Sequence, residues 1–218
     1  ETVTGFVNSE TIAVVTGTPT GTSTATATTG VGTATITSSI AGLSASNYDF
    51  TAGANGTLTI NKAHLTVTAD NQTRLYGQAN PTFTETVTGF VNSETIAVVT
   101  GTPTGTSTAT ATTGVGTATI TSSIAGLSAS NYDFTAGANG TLTINKANAT
   151  VVVTPYSLTY DGKSHTAAIT SITGVNGETG VTVGSVDVTN TAHTAAGTFA
   201  NDSWSFTGTA NYNDISAT

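Results

Sequence analysis

The sequence has no cysteine and no methionine, and only 4 of its 218 residues are basic. Without cysteine, disulfides and thiol chemistry are excluded. The basic residues, Lys62, Arg74, Lys146 and Lys163, are scattered. Nucleic-acid binding needs a stripe of positive charge to neutralise phosphates, so that class is excluded, and attraction to an anionic membrane fails for the same reason. No apolar run approaches the ~18 residues a membrane-crossing helix requires. Charged residues make up 7% of the chain, far below the usual quarter. Disorder normally combines low hydrophobicity with high charge, and this chain is 37% hydrophobic.

About a quarter of the residues are threonine, and 24 are glycine. β-branched side chains suit a pleated, half-buried surface, so the composition points to folded β structure. The net charge of −8 gives a thinly charged, mildly acidic surface, as expected of an exported protein that stays soluble.

The chain repeats itself. Residues 1–63 recur unchanged as residues 85–147, an offset of 84. Tandem identity marks a repeat array, in which one folded unit recurs along the chain. The complete unit runs over 64–147. Residues 1–63 form a unit whose opening strand is missing. Residues 148–218 form a divergent unit: NATVVVTPYSLTYDG from Asn148 aligns with HLTVTADNQTRLYG from His64, and Tyr160 falls 84 residues after Tyr76. It ends in NYNDISAT, which matches the region around Asn131–Asp133, so a closing strand like Thr141–Lys146 is missing. Both ends are expected to lie inside a unit of a longer array.

Within a unit the period is two. Leu65, Val67 and Ala69 alternate with Thr66, Thr68 and Asp70; Leu142 and Ile144 alternate with Thr141, Thr143 and Asn145; Val115, Ala118 and Ile120 suggest a further strand. Such alternation predicts strands with one wet face. Turn signals recur at Thr18-Pro19, Gly21, Gly30, Gly42 and Asn80-Pro81. Asn55-Gly56 and Asn139-Gly140, placed before TLTI runs, predict tight hairpins, because both residue types accept positive φ. The segment Asn92–Ala97 fits either one helical turn capped by Ser93 or a strand continuing through Ile96–Val99. The expected fold class is all-β: tandem small β domains in an extended array, each an Ig-like sandwich or a β-grasp-like variant.

The order LTVTADNQTRLYGQANPTF, GFVNSETI, GVGTATI, NYDF and GTLTINKA resembles the MBG-type repeats of large bacterial surface and adhesin proteins. Tyr76 and Gly77 resemble the YGX form of that repeat, and Tyr160, Asp161 and Gly162 the YDG form. The resemblance covers nearly the whole chain. It implies a secreted, array-forming β domain at the cell surface and brings no catalytic residues. The third unit departs from it in its middle, where GETGVTVGSVDVTNTAHTAAGTF replaces the threonine-rich stretch.

Chemistry-bearing motifs are sparse. His64, His165 and His193 lack zinc-ligand spacing, and no nucleophile elbow or clustered carboxylate pair is present. No enzyme and no cofactor is expected. Asp202 beside Asn201, and Asp214 beside Asn211 and Asn213, are the candidates for a weak calcium site, against the plainer reading of Asn/Asp turns. The run Thr102–Thr113 reads as a strand with threonine on its wet face. A glycosylated segment and an ice-binding face are the alternatives, the latter weakened because the run occurs once per unit. Tyr48, Tyr132 and Tyr212 share an Asn-Tyr context and are expected to anchor corners, ring buried and hydroxyl bonded to backbone. Trp204 alternates with Ser203 and Ser205 and is expected to face the core with Phe206; a glycan platform is the competing role. Lys62 and Lys146 read as solvated strand ends rather than isopeptide donors.

The expected function is structural: a stalk or filament segment of a secreted adhesin or extracellular matrix fibre. A glycan- or protein-binding adhesive module is the alternative. The expected partners are neighbouring repeats of the same chain, and other copies by strand donation.

Overall fold

Threonine–apolar alternation is realised as thirteen short strands among residues 1–216, which are the residues the computed structural model describes. Ala217 and Thr218, assigned above to the third unit, lie outside the described residues. The fold is all-β, built as several small sheets, with no α-helix among the described residues. The strands are β1 (Thr20–Thr22), β2 (Gly32–Ser39), β3 (Gly56–Ile60), β4 (Ala63–Ala69), β5 (Gln72–Leu75), β6 (Glu85–Thr88), β7 (Gly116–Ile120), β8 (Tyr132–Ala136), β9 (Gly140–Asn145), β10 (Thr150–Thr154), β11 (Ala168–Thr173), β12 (Gly184–Asp187) and β13 (Ser205–Gly208). The sheet orders are β1-β2-β3, β6-β4-β8, β5-β9-β7, β10-β11 and β12-β13.

By contact, the chain divides into two compact units. The first gathers residues 1–66, 87–102 and 126–135; the second gathers residues 67–86, 103–125 and the described residues from Ala136 onward.

In the first unit, β2 pairs antiparallel with β1 and with β3, in the register Thr22↔Thr37 and Ala34↔Leu58. The inward side chains are only partly covered, and Leu58 remains 38% exposed.

The second unit holds the main core. There β9 is flanked on both edges: β7 pairs with it antiparallel (Ala118↔Leu142) and β5 parallel (Arg74↔Ile144). Leu142, Ile144 and Ile120 are buried with Ala69, Tyr76, Phe83, Val183, Phe206 and Tyr212. The expected alternation holds here, since Leu142 and Ile144 face in while Thr141 and Asn145 face out. Arg74 is buried in the same layer. Its guanidinium donates to the Asn80 side chain and to the carbonyls of Leu75 and Thr110, which satisfies a charge that burial alone would penalise. Further along, β10 pairs antiparallel with β11, with a register shift between Val152 and Val153, and β12 pairs with β13.

Several local expectations are corrected. Asn55-Gly56 and Asn139-Gly140 do not form hairpins: Gly140 opens β9, whose neighbours are β5 and β7, and neither asparagine has positive φ. Asn139 instead accepts a hydrogen bond from the Ser122 amide at 3.1 Å. Gly140 is required for space, because a Cβ there would stand 2.7 Å from the Asp70 carbonyl oxygen. The segment around Asn92 is neither a Ser93-capped helix nor a strand. Ile96–Val98 is a single 3-10 turn whose N-cap is Thr95, while Ser93 sits at φ 61°. Threonine at 95 is in extended conformation and its hydroxyl reaches the Ala97 amide, which is what an N-cap needs. Val115 lies outside β7 and is exposed. The run Thr102–Thr113 keeps its alternation, with threonines outward and Ala109 buried, yet forms no strand. Its one ladder contact is the bridge Thr106↔Thr121, so it presents no flat threonine sheet.

Candidate functional site

Three tyrosine–glutamate corners recur. Tyr48 donates to Glu10, Tyr132 to Glu94, and Tyr212 to Glu178 at 2.8 Å. Each hydroxyl also accepts from a backbone amide, of Val7 (3.2 Å), Val91 (3.1 Å) and Val175 (3.1 Å) respectively. The tyrosine is thereby tied to backbone and to a carboxylate three residues further on. Tyr132 and Tyr212 are buried, whereas Tyr48 is half-buried. In the first two corners a phenylalanine meets the tyrosine edge-on, Phe6 with Tyr48 and Phe90 with Tyr132. In the third, position 174 is glycine, and Tyr76 meets Tyr212 at 5.7 Å instead.

Tyr76 makes the third corner richer. Its hydroxyl donates to Glu178 at 2.6 Å, so one carboxylate receives two phenols, and the Asn176 amide donates to it as well at 2.8 Å. Burial pushes the Glu178 carboxyl up, but hydrogen bonds from Tyr76, its own backbone, Tyr212 and Asn176 outweigh this and hold it at about 2. Burial, and then the bond to Glu178, push Tyr212 up to about 12. Hydrogen bonding to Glu178, Glu10 and Glu94 likewise raises Tyr76, Tyr48 and Tyr132. These groups keep fixed protonation states near neutrality and serve as ties, not as proton carriers.

Gly77 follows with φ +85°, and its amide donates to the Ala111 carbonyl. A Cβ at Gly77 would lie 2.2 Å from Val175 Cγ2, so glycine is needed both for conformation and for close approach. Around this point, within the second compact unit, residues 111–115 and Ala147 meet Asn176 and Asn211 through a set of bonds. Asn211 Oδ1 accepts from the Val115 amide (3.0 Å), Asn176 Nδ2 donates to the Ala111 carbonyl (3.4 Å), and the Ala147 amide donates to the Asn211 carbonyl (3.0 Å). Within the first compact unit the same bonds occur at homologous positions. Asn131 Oδ1 accepts from the Val31 amide (3.0 Å), Asn92 Nδ2 donates to the Ala27 carbonyl (3.1 Å), and the Ala63 amide donates to the Asn131 carbonyl (2.9 Å). A side-chain pair accompanies each: His64 with Asp133 at the first, Asn148 with Asn213 (2.8 Å) at the second.

The remaining predicted residues lie elsewhere. Tyr160 is 67% exposed. Asp161 accepts from the Lys163 amide and pairs with His165, whose hydrogen bond lowers the Asp161 carboxyl, and Gly162 follows at φ +76°. Trp204 is half-buried and packs against the core beside Phe206. It borders an open cleft of about 580 Å³ in the third repeat, whose walls include Tyr156, Tyr160, Phe199 and the pairs His165–Asp161 and His193–Asp202. The calcium candidates are engaged otherwise: Asp202 with His193, and Asp214 with the Gly208 amide. Among the described residues no three acidic or histidine side chains converge as metal ligands. Lys62 donates to the carbonyls of Ala129 and Tyr132.

Sequence reasoning missed the glutamates. Glu10, Glu94 and Glu178 stand 84 residues apart, in NSETI twice and then in the divergent NGETG, and the persistence of the glutamate there is the available signal. The asparagine before Tyr132 and before Tyr212 reads in the sequence as context only, whereas its side chain accepts from the amide of Val31 and of Val115 respectively.

A family model described as MBG domain (YGX type) matches residues 1–59 and 65–143. Comparison with curated proteins and with solved structures gives no match.

Proposed function

Because the chain belongs to the MBG domain (YGX type) family, a non-catalytic repeat module found in bacterial surface proteins, we propose that it is a structural repeat segment of a secreted adhesin or extracellular matrix fibre. Its units are residues 1–63, 64–147 and 148–218, the last a YDG-form variant, and its site of action is the bacterial cell surface. The segment supplies reach, and its partners are neighbouring repeats. One observation carries the reading: the asparagine-centred joint is built from the same three hydrogen bonds at Val31–Asn131 and again at Val115–Asn211. A joint that recurs bond for bond is what stacking of a quasi-one-dimensional array requires. The test is to insert one, two and four further copies of residues 64–147 and measure the maximum dimension by small-angle scattering. A constant increment per copy supports a stalk; a dimension that does not grow with copy number refutes it.

The cleft beside Trp204 favours a second reading, an adhesive module. Aromatic faces from Tyr156 and Trp204 next to Asp–His pairs offer stacking and hydrogen bonding to a sugar. Glycan-array binding lost in Trp204→Ala would support it, and an array without signal would remove it.

A further inference from the structure

Asparagine is followed by glycine at Asn55-Gly56, at its copy Asn139-Gly140, and at Asn176-Gly177. The pair is reactive, because the main-chain nitrogen after an asparagine can close a five-membered ring on the side-chain carbonyl carbon. Closure has three requirements. The second residue must bring no Cβ into the way, its N–H must be free of a hydrogen bond, and the loop must have room to fold onto itself. The fold treats the sites differently. Gly140 is buried, stands opposite Ile120 in the β7–β9 ladder and packs against the Asp70 and Ala69 carbonyls, while the Ser122 amide holds the Asn139 side chain. Asn92-Ser93, 84 residues before Asn176-Gly177, is an exposed turn, but Ser93 has a Cβ and the two residues are fixed at φ 55° and 61°. Only Asn176-Gly177 meets all three requirements. Both residues are exposed, and a Cβ at Gly177 would find nothing within 4 Å. Gly177 turns at φ +84°, and among the described residues nothing accepts its N–H. The loop is held at its base instead: the Gly174 amide donates to the Glu178 carbonyl (2.8 Å), the Val175 amide to the Tyr212 hydroxyl (3.1 Å) and the Asn176 amide to Glu178 Oε2 (2.8 Å).

We propose that Asn176 is a self-modification site, converted by the main-chain nitrogen of Gly177 into aspartate and isoaspartate. The Gly177 nitrogen attacks the Asn176 side-chain carbonyl carbon. A bond from that carbon to the Gly177 nitrogen forms, the bond to Nδ2 breaks, and Nδ2 leaves as ammonia with the proton given up by the Gly177 amide. The cyclic imide then takes up one water and opens at either carbonyl, to aspartate or to isoaspartate. One water enters, one ammonia departs, and nothing is oxidised or reduced. The product falls on a working part of the second compact unit. Asn176 Nδ2 donates to the Ala111 carbonyl at 3.4 Å, and a carboxylate in its place offers an acceptor to an acceptor. The new charge also lies beside the Glu178 carboxylate, which already receives Tyr76 and Tyr212. Isoaspartate lengthens the main chain by one carbon between Val175 and Gly177, where a Cβ on Gly77 would already stand 2.2 Å from Val175 Cγ2. The conversion therefore loosens the corner that Tyr212 and Glu178 hold. The inference rests on the chemistry of this loop and not on a stalk role, so a failed length-per-copy experiment leaves it standing.

The test is timed incubation of the whole chain at physiological temperature and mildly alkaline pH, folded and in concentrated urea, followed by peptide mapping by mass spectrometry. Cleavage after lysine and arginine places Asn139 and Asn92 in residues 75–146 and Asn176 in residues 164–218, and fragmentation separates the first two. In urea the two Asn-Gly sites at 139 and 176 should convert at rates within about threefold of each other, because only local sequence then acts. In the folded chain Asn176 should convert about tenfold or more faster than Asn139 and Asn92, with isoaspartate among its products. Asn176→Gln should stop conversion at this position and leave the other sites unchanged. In the aged parent chain the Val175 amide should exchange with solvent about tenfold or more faster than in Asn176→Gln aged in parallel. Folded-state conversion at Asn176 no faster than at Asn139, or faster conversion at Asn92, would overturn the assignment of the site. A converted chain whose Val175 amide stays as protected as in Asn176→Gln would overturn the loosening of the corner.

Discussion

Replacing Glu178 by glutamine keeps the size of the side chain and removes the charge on which two phenols converge. In the parent protein the carboxyl sits at about 2, against an ordinary 4.5. At 1.36 kcal/mol per pH unit that difference corresponds to about 3 kcal/mol of folding free energy. Glu178 is half-buried, and solvent screening reduces the expected share to about 1–2 kcal/mol. For a chain of this size, that is a melting temperature lower by about 2–8 °C. The pH dependence follows from the direction of the shift. The folded carboxyl lies below its unfolded value, so its stabilisation is fully present above about 4.5 and is lost as pH falls toward 2. The gap between parent and Glu178→Gln should therefore be complete at pH 6 and closed near pH 2. Other carboxylates titrate in the same range but cancel in the difference. Trp204 belongs to the same repeat as Glu178, and its fluorescence in thermal melts reports on that repeat directly. A gap that stays constant from pH 6 to pH 2, or no gap at pH 6, would refute the assignment of Glu178 as a charged tie.

Paired substitutions in the two copies should diverge. Leu142→Ala removes a fully buried side chain and should cost about 2–5 kcal/mol in urea unfolding, whereas Leu58→Ala, at 38% exposure, should cost under about 1 kcal/mol. Gly140→Ala forces a Cβ within 2.7 Å and 2.9 Å of the Asp70 and Ala69 carbonyl oxygens and should destabilise by about 1–3 kcal/mol. Gly56→Ala meets Ile36 Cβ at 3.5 Å, and its melting temperature should stay close to that of the parent. Arg74→Lys should lose about 1–3 kcal/mol by the same assay, because an ammonium cannot hold Asn80, Leu75 and Thr110 together as the guanidinium does.

The all-β class was legible because alternation is local: Leu142 and Ile144 face in on β9, as period two demands. Sheet partners were not. Asn139-Gly140 carries strong hairpin chemistry, yet its glycine is spent on clearing the Asp70 and Ala69 carbonyls, a constraint set by residues 70 positions away. The run Thr102–Thr113 has the side-chain rhythm of a strand, but β7 already pairs with β9 and the run reaches the chain beyond β7 only at Thr121. The corner tyrosines could be picked out from their Asn-Tyr context. Their glutamates lie 34 or 38 residues away, too far for any local rule to connect. Identity of sequence also concealed a difference: Leu58 and Leu142 read alike, and only the strand lying beside each decides whether it is covered.

The spacing of the corners has a consequence of its own. Glu10 and Glu94 each precede their tyrosine by 38 residues, Glu178 by 34, and the Tyr–Glu bond forms in every case. The intervening loops can lengthen, shorten or change composition without moving the two ends that matter. A repeat that keeps its glutamate, its Asn-Tyr pair and a Tyr-Gly turn can then follow any other that does the same.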